Sequence, residues 1–132
     1  MKRNVFEANA EKVLERMTEI AREKGEIGVA VVANLEDKNS VQWITRMKAV
    51  DGIISDDGRF NLVAVAYSKA GEMIRTKKDS GSKDGLINGE LGYQGGAIEE
   101  HDGGYILAAF SGAASEVDFS ISKEALAFLC KL

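Results

Sequence analysis

The chain has 132 residues, of which 45% are hydrophobic and 29% are charged, and its formal net charge is −4. This length suits a single domain, residues 1–132, with enough core to fold without disulfides or a structural metal. The acidic balance argues against a protein that coats nucleic acid or an anionic membrane, because phosphates select for clustered Lys and Arg. The sequence lacks a secretory signal and an apolar run of membrane-spanning length, which predicts a soluble, cytoplasmic protein.

The first half of the chain predicts a helix, two strands and a second helix. Apolar residues recur at helical spacing in two segments, and Asn61 is a plausible N-cap for the second of them. The run Ile27–Ala33 is apolar on both faces, as in a central strand, and a polar turn separates it from an alternating run. The predicted elements are a helix over residues 7–24, strands over 27–33 and 41–48, and a helix over 61–77.

The second half predicts a long loop, a hairpin and a final helix. Residues 78–96 contain six of the fourteen glycines, which predicts a mobile loop. Residues 97–110 form the predicted hairpin, with Asp102-Gly103 at its turn. Ser115 and Asp118 have the spacing of a capping box at the start of the last helix. This order of elements predicts an α+β domain, an antiparallel sheet with helices packed on it.

Two basic residues are candidates to bind a carboxylate. Lys69 lies on the apolar stripe of the second predicted helix, where its ammonium either snorkels to the edge or points into a cavity. Arg46 lies on the second predicted strand and is either a solvated residue or a ligand contact. If both residues bind a ligand, they are expected to lie on the same sheet-and-helix layer.

The segment Ser111–Ser115 runs from the last predicted strand into the last helix. Its unpaired backbone N–H groups could receive a carboxylate or a propionate, although a simple capped turn would have the same sequence. Ser111 is not expected to be the nucleophile of a Ser-His-Asp triad, because His101 lies at the other end of the hairpin, roughly 25 Å away.

His101 is the only histidine, so one chain cannot build a bis-histidine haem site or a His-paired metal site. It is either an exposed residue beside the turn or an axial ligand completed by a neighbouring subunit. The single cysteine excludes a multi-thiolate metal site, and no metal site is predicted. Gly95 and Gly96 end a glycine-rich run that precedes a strand, which excludes a Walker loop or a dinucleotide fingerprint there.

Several short segments carry a family resemblance through their order along the chain. They are Ala10–Gly25 with Val29–Val32, Arg46-Met47 with Asp51-Gly52, Ala66–Ala70, Gly95–Ile98, Asp102–Ile106 and Phe110–Asp118. In this order the chain resembles the GlcG/HbpS-like family of small bacterial haem-binding-type domains, also found at the C-terminus of some corrinoid adenosyltransferases. The chain departs from the family's arginine–methionine–aspartate–glycine run at Lys48–Val50.

The resemblance implies a profilin-like layout, an antiparallel sheet of about five strands flanked by helices, assembled as a homo-oligomer. It also implies a ligand site between the second helix, the glycine-pair loop and a neighbouring subunit. Haem or a related tetrapyrrole is the implied ligand. The contacts expected at such a site are Arg46, Lys69, Gly95, Gly96 and Ser111, with His101 as an axial candidate.

Three hypotheses for function follow from these residues and from the resemblance. The first is a small-ligand-binding module for haem or a related tetrapyrrole within an oligomer. The second is an accessory subunit or enzyme that acts on a small organic acid, held by the basic candidates Arg46 and Lys69. The third is a purely structural assembly domain whose Trp43, Tyr67 and Phe110 form an exposed apolar interface.

Overall fold

The computed structural model describes residues 1–82 and 85–132 of the chain. The described residues form three helices and four strands, which alternate along the chain as helix, hairpin, helix, hairpin, helix. In chain order they are α1 (Arg3–Glu23), β1 (Gly28–Leu35), β2 (Trp43–Val50), α2 (Leu62–Thr76), β3 (Gly96–His101), β4 (Gly104–Ser111) and α3 (Ser115–Cys130).

The four strands form one antiparallel sheet in the order β2-β1-β4-β3. The central strand β1 is buried on both faces, as its continuous apolar run predicts. Alternate side chains face opposite helical layers because successive residues of a strand point to opposite sides. Ala30 and Val32 join a core with α1 and α3, whereas Val29 and Val31 pack against α2.

Local sequence signals set several element ends. The side chain of Asn61 accepts hydrogen bonds from the N–H groups of Val63 and Ala64, so Asn61 caps α2 as predicted. The predicted hairpin turn between β3 and β4 is also confirmed. Its two central residues, Asp102 and Gly103, have φ angles of 49° and 81°, as a type I′ turn requires.

The outer edge of β3 is covered by the beginning of the long loop that follows α2. The hydroxyl of Ser80 accepts the N–H of Gly96, and the carboxylate of Asp79 accepts the N–H of Ile98. These side chains therefore satisfy edge N–H groups that would otherwise be available to another strand. Residues 83 and 84 of this loop, which the sequence predicts to be mobile, lie outside the described residues.

Some sequence-based predictions differ from the structure. The described residues contain four strands rather than about five. The helix α1 begins at Arg3 rather than near Glu7 because Phe6, in its first turn, is buried in the core. Ser115 is not an N-cap, since α3 is preceded by Ala114, which makes no side-chain cap. Phe110 is fully buried in the core rather than exposed at an interface.

Candidate functional site

The main candidate site is a pocket of about 310 Å³ at the end of the sheet where β4 leads into α3. We call it the β4–α3 pocket. One wall is formed by α2, another by the segment Gly112–Ser115, and a third by Phe60 and Tyr93 from the two neighbouring loops. The rings of Phe60 and Tyr93 pack edge to face with their centroids 6.3 Å apart. The pocket therefore combines an aromatic rim with a polar inner end.

The inner end of the pocket contains a buried ion pair. The Lys69 ammonium nitrogen lies 2.9 Å from Oδ2 of Asp118 and also donates to the Phe110 carbonyl at 2.7 Å. The side chain of Lys69 is only 3% exposed and that of Asp118 only 6%. The other carboxylate oxygen of Asp118 accepts the N–H of Ala113 at 3.0 Å. Both charges are therefore out of bulk water and hold α2 against the start of α3.

Register explains why a lysine from α2 can reach a residue of α3 on the other side of the sheet. β3 begins to pair at Gly96, opposite Ala109, so the last two residues of β4 have no partner on β3. The carbonyl of Phe110 is one of the groups left at this open end, and Lys69 donates to it. The ion pair with Asp118 thus passes around the end of the sheet.

Burial dominates the protonation of this pair. It raises the pKa of Asp118 from 3.8 to about 6, although the neighbouring ammonium of Lys69 opposes the shift. Burial also lowers the pKa of Lys69, and the Asp118 carboxylate opposes that change. Both shifts favour the uncharged forms of the two side chains.

The raised pKa of Asp118 predicts that stability falls with pH. Below pH about 4 the carboxyl is protonated in both states, and its contribution to stability is complete. That contribution is lost as the pH rises through about 6, the pKa of Asp118 in the folded protein. The free energy of unfolding then falls by about 3 kcal/mol. Urea unfolding between these pH values measures the fall.

The Lys69→Met/Asp118→Asn double variant is the control for this pH dependence, because its amide keeps an acceptor for Ala113 and does not titrate. The wild type should lose stability over this pH interval relative to the double variant. Parallel curves for the two proteins would contradict the assigned pKa of Asp118.

Ser111 faces the pocket from the last position of β4. It pairs with Val29 of β1, whose side chain packs in the core beneath α2, so the side chain of Ser111 lies on this same face. Ser111 is 1% exposed, and its hydroxyl has no hydrogen-bond partner among the described residues. A buried hydroxyl that lines a pocket and lacks a partner is available to a ligand.

The glycine pair lies at the start of β3, outside the pocket lining, and Gly95 packs against the buried ion pair. A Cβ atom on Gly95 would lie 2.7 Å from the Cβ of Asp118 and 2.8 Å from the ammonium nitrogen of Lys69. Gly95 also has a φ of 122°, which side chains rarely tolerate. A Cβ atom on Gly96 would lie 2.5 Å from the methyl carbon of Met73. Small residues are therefore required beside the buried ion pair.

Arg46 does not belong to the β4–α3 pocket. It pairs with Val32, which faces α1, and its guanidinium contacts Glu7 of α1 at 3.4 Å. It borders a separate groove of about 390 Å³ between α1 and β2. The prediction that Arg46 and Lys69 face one layer is therefore wrong, because position 46 lies on the α1 face of β2.

His101 is also distant from the pocket. It is the last residue of β3, five residues from Gly96, which corresponds to about 16 Å along the strand. Its Nε2 atom lies 3.2 Å from the carboxylate of Asp102 at the turn. His101 therefore cannot serve a ligand in the β4–α3 pocket of the same chain.

Of the six predicted site residues, the structure brings Lys69 and Ser111 together at the pocket, with Gly95 beside the ion pair, whereas Gly96 packs against Met73 and Ser80. The sequence analysis missed the role of Asp118, whose spacing from Ser115 gave the signal of a helix cap. Its helical phase with the buried Ile121 and Ser122 was the available sign of an inward-facing carboxylate.

Among the described residues, two further features are absent, namely a metal-ligand cluster and a membrane-spanning helix. Across residues 1–82 and 85–132, His, Cys, Asp and Glu side chains do not assemble into any set of three or more suited to a metal ion. None of the helices in this part of the chain is both long and apolar enough to cross a membrane.

Comparison with known proteins identifies no relative of this chain. No protein-family model, curated protein sequence or solved structure matches the chain.

Proposed function

We propose that this protein is a binding module for a small organic acid, with the β4–α3 pocket as its site. The ligand carboxylate lies against the hydroxyl of Ser111 and the first turn of α3, and its apolar part packs on Phe60 and Tyr93. A pocket of about 310 Å³ is at the small end of the range for ligand sites and suits a compact acid.

The observation that carries this proposal is the buried hydroxyl of Ser111. Leaving a polar group buried without a partner costs about 1–3 kcal/mol, which a ligand oxygen would recover. Lys69 and Asp118 neutralise each other at the inner end of the pocket. A ligand oxygen would therefore pair with the one buried side-chain atom lining this pocket that has no hydrogen-bond partner among the described residues.

The first turn of α3 supplies the second set of donors. Val117 and Asp118 donate their N–H groups to the Ala114 carbonyl, but Ser115 and Glu116 have no such acceptor in the described part of the chain. A helix N-terminus carries a partial positive charge, so it favours an anion close to these N–H groups. The hydroxyl of Ser111 and the N-terminus of α3 thus both favour a carboxylate.

Replacing Ser111 by alanine separates ligand binding from stability. We expect Ser111→Ala to keep or slightly increase the free energy of unfolding, because the hydroxyl has no partner to lose. We expect its affinity for benzoate to fall about tenfold, since a hydrogen bond to a charged group contributes at least about 1.5 kcal/mol. Isothermal titration with benzoate, and with benzamide as the uncharged analogue, measures the effect.

Ser120→Ala is the matched control, because Ser120 lies on α3 outside the pocket lining and its hydroxyl bonds only to the Val117 carbonyl. This variant should bind benzoate like the wild type. Wild-type affinity in Ser111→Ala would remove Ser111 from the site, and equal binding of benzamide would contradict recognition of a carboxylate.

Haem or a related tetrapyrrole is the second candidate ligand, supported by the order of motifs shared with the GlcG/HbpS-like family. The propionates of a tetrapyrrole would use the same donors at the start of α3. The pocket lining contains no His, Cys or Met among the described residues, which leaves Tyr93 as the residue there of a type that ligates haem iron. Titration with haemin tests this candidate: a shifted Soret band supports it, and the band of free haemin contradicts it.

A role in assembly is the third candidate, with the profilin-like arrangement and the homo-oligomer implied by the same resemblance. The loops on either side of α2 expose several large apolar side chains, namely Ile53, Ile54, Phe60, Leu86, Ile87, Leu91 and Tyr93. Exposed apolar clusters are typical of interfaces. Light scattering after size exclusion distinguishes an oligomer from a monomer, and a monomer would contradict this role.

A further inference from the structure

The ammonium group of Lys69 is placed to act on a ligand as well as to bind Asp118. It uses two of its three N–H groups, one for Phe110 and one for Asp118, and the third has no acceptor among the described residues. Lys69 lines the same pocket as Ser111 and the start of α3. A carboxylate held by those donors would therefore lie in the pocket that Lys69 also lines.

We propose that Lys69 forms a reversible imine with the carbonyl carbon of a 2-oxo acid whose carboxylate is held by Ser111 and the first turn of α3. This inference rests on the proposed function and narrows its ligand to acids with a carbonyl group next to the carboxylate. Phe60 and Tyr93 at the rim favour an acid with an apolar or aromatic side chain.

The reaction balances with the groups present. A proton moves from the Lys69 ammonium to the Asp118 carboxylate, and the free amine forms a C–N bond to the carbonyl carbon. The carbonyl oxygen takes a proton from nitrogen to give a carbinolamine. Asp118 returns its proton to the hydroxyl, the C–O bond breaks and water leaves. The products are one water molecule and an iminium ion paired with the Asp118 carboxylate, with no change in charge or oxidation state.

The surroundings of Lys69 support this chemistry. A lysine in a desolvated site gives up its proton more easily than one in water, which is how imine-forming lysines are activated. Lys69 is 3% exposed, and a carboxyl group that can take and return the proton is 2.9 Å away. The carboxylate of Glu26 opposes ionisation of Asp118, whereas Lys69 favours it.

Borohydride trapping tests the proposal on the intact chain. The protein is incubated with phenylpyruvate and sodium borohydride, then digested and mapped by mass spectrometry. We expect the reduced adduct on the Lys69 peptide, with loss of most of the unmodified peptide, and no adduct with phenyllactate, which lacks the carbonyl. An adduct confined to exposed lysines, or none at all, would overturn the proposal.

A variant that is expected to fold like the wild type provides a further test. Ser111→Ala retains Lys69 and Asp118, and we expect it to reduce trapping at Lys69 about tenfold at subsaturating phenylpyruvate. Unchanged trapping in this variant would overturn the assigned pose.

Thermal shifts distinguish failure of the imine proposal from failure of the proposed binding of organic acids. Equal stabilisation by phenylpyruvate and phenyllactate, with no adduct at Lys69, would overturn the imine while leaving acid binding intact. No stabilisation by either acid would overturn both.

Discussion

Asp118→Ala should lower the free energy of unfolding by about 1–3 kcal/mol, because it leaves the buried Lys69 ammonium without one of its hydrogen-bond acceptors. The substitution also removes the acceptor of the Ala113 N–H at the start of α3. A loss of this size is a large part of the stability of a domain. Urea unfolding at pH 7, followed by circular dichroism, measures it.

The double variant Lys69→Met/Asp118→Asn shows whether this loss comes from an unpaired charge. It removes both charges and keeps an acceptor for Ala113, so we expect it to recover about half of the loss or more. If the double variant is less stable than Asp118→Ala, the ion pair is not the source of the effect. A loss below about 1 kcal/mol in Asp118→Ala would show that the pair is solvated.

Gly95→Ala should lower the free energy of unfolding by about 2–4 kcal/mol, as the sum of backbone strain and overpacking. Its φ of 122° is unfavourable for alanine, and the added methyl group would meet both Asp118 and Lys69 within 2.8 Å. The same change should abolish measurable binding of benzoate, because the pocket wall must move. Thermal unfolding with and without benzoate measures both effects.

Gly71→Ala is the matched control for this substitution. Gly71 lies within α2, and an added Cβ atom there would have no heavy atom within 4 Å. Alanine should therefore stabilise the helix by about 0.5–1 kcal/mol and leave binding unchanged. If Gly95→Ala is as stable as the wild type, the close packing described around the ion pair is wrong.

The sequence predicted the features that depend on neighbouring residues. The cap at Asn61 and the turn at Asp102-Gly103 are confirmed because a side chain or a φ preference decides each one locally. The buried strand β1 was recognisable from its continuous apolar run. The α+β class followed from the order of these elements.

The composition of the site could be predicted only in part. Ser115 and Asp118 have the spacing of a capping box, yet Asp118 pairs with Lys69, which is 49 residues away along the chain. The grouping of Arg46 with Lys69 was wrong because the alternating pattern of β2 does not show which helix covers each of its faces. Such long-range choices depend on strand order and register, which the sequence pattern leaves open.

The family, the homo-oligomer and the cytoplasmic location stay predictions. So does the mobility of the glycine-rich loop. These properties depend on partners, on surroundings or on motions that the fold of one chain does not determine.

Amide chemical shifts during a titration with benzoate test the central claim most directly. The account predicts that the shifts of ¹⁵N-labelled protein concentrate at Gly112–Glu116 and Gln94–Gly96, and that they saturate together. Shifts centred on Arg46 and the groove beside α1, or no saturable shifts at all, would contradict the assignment of the β4–α3 pocket as an organic-acid site.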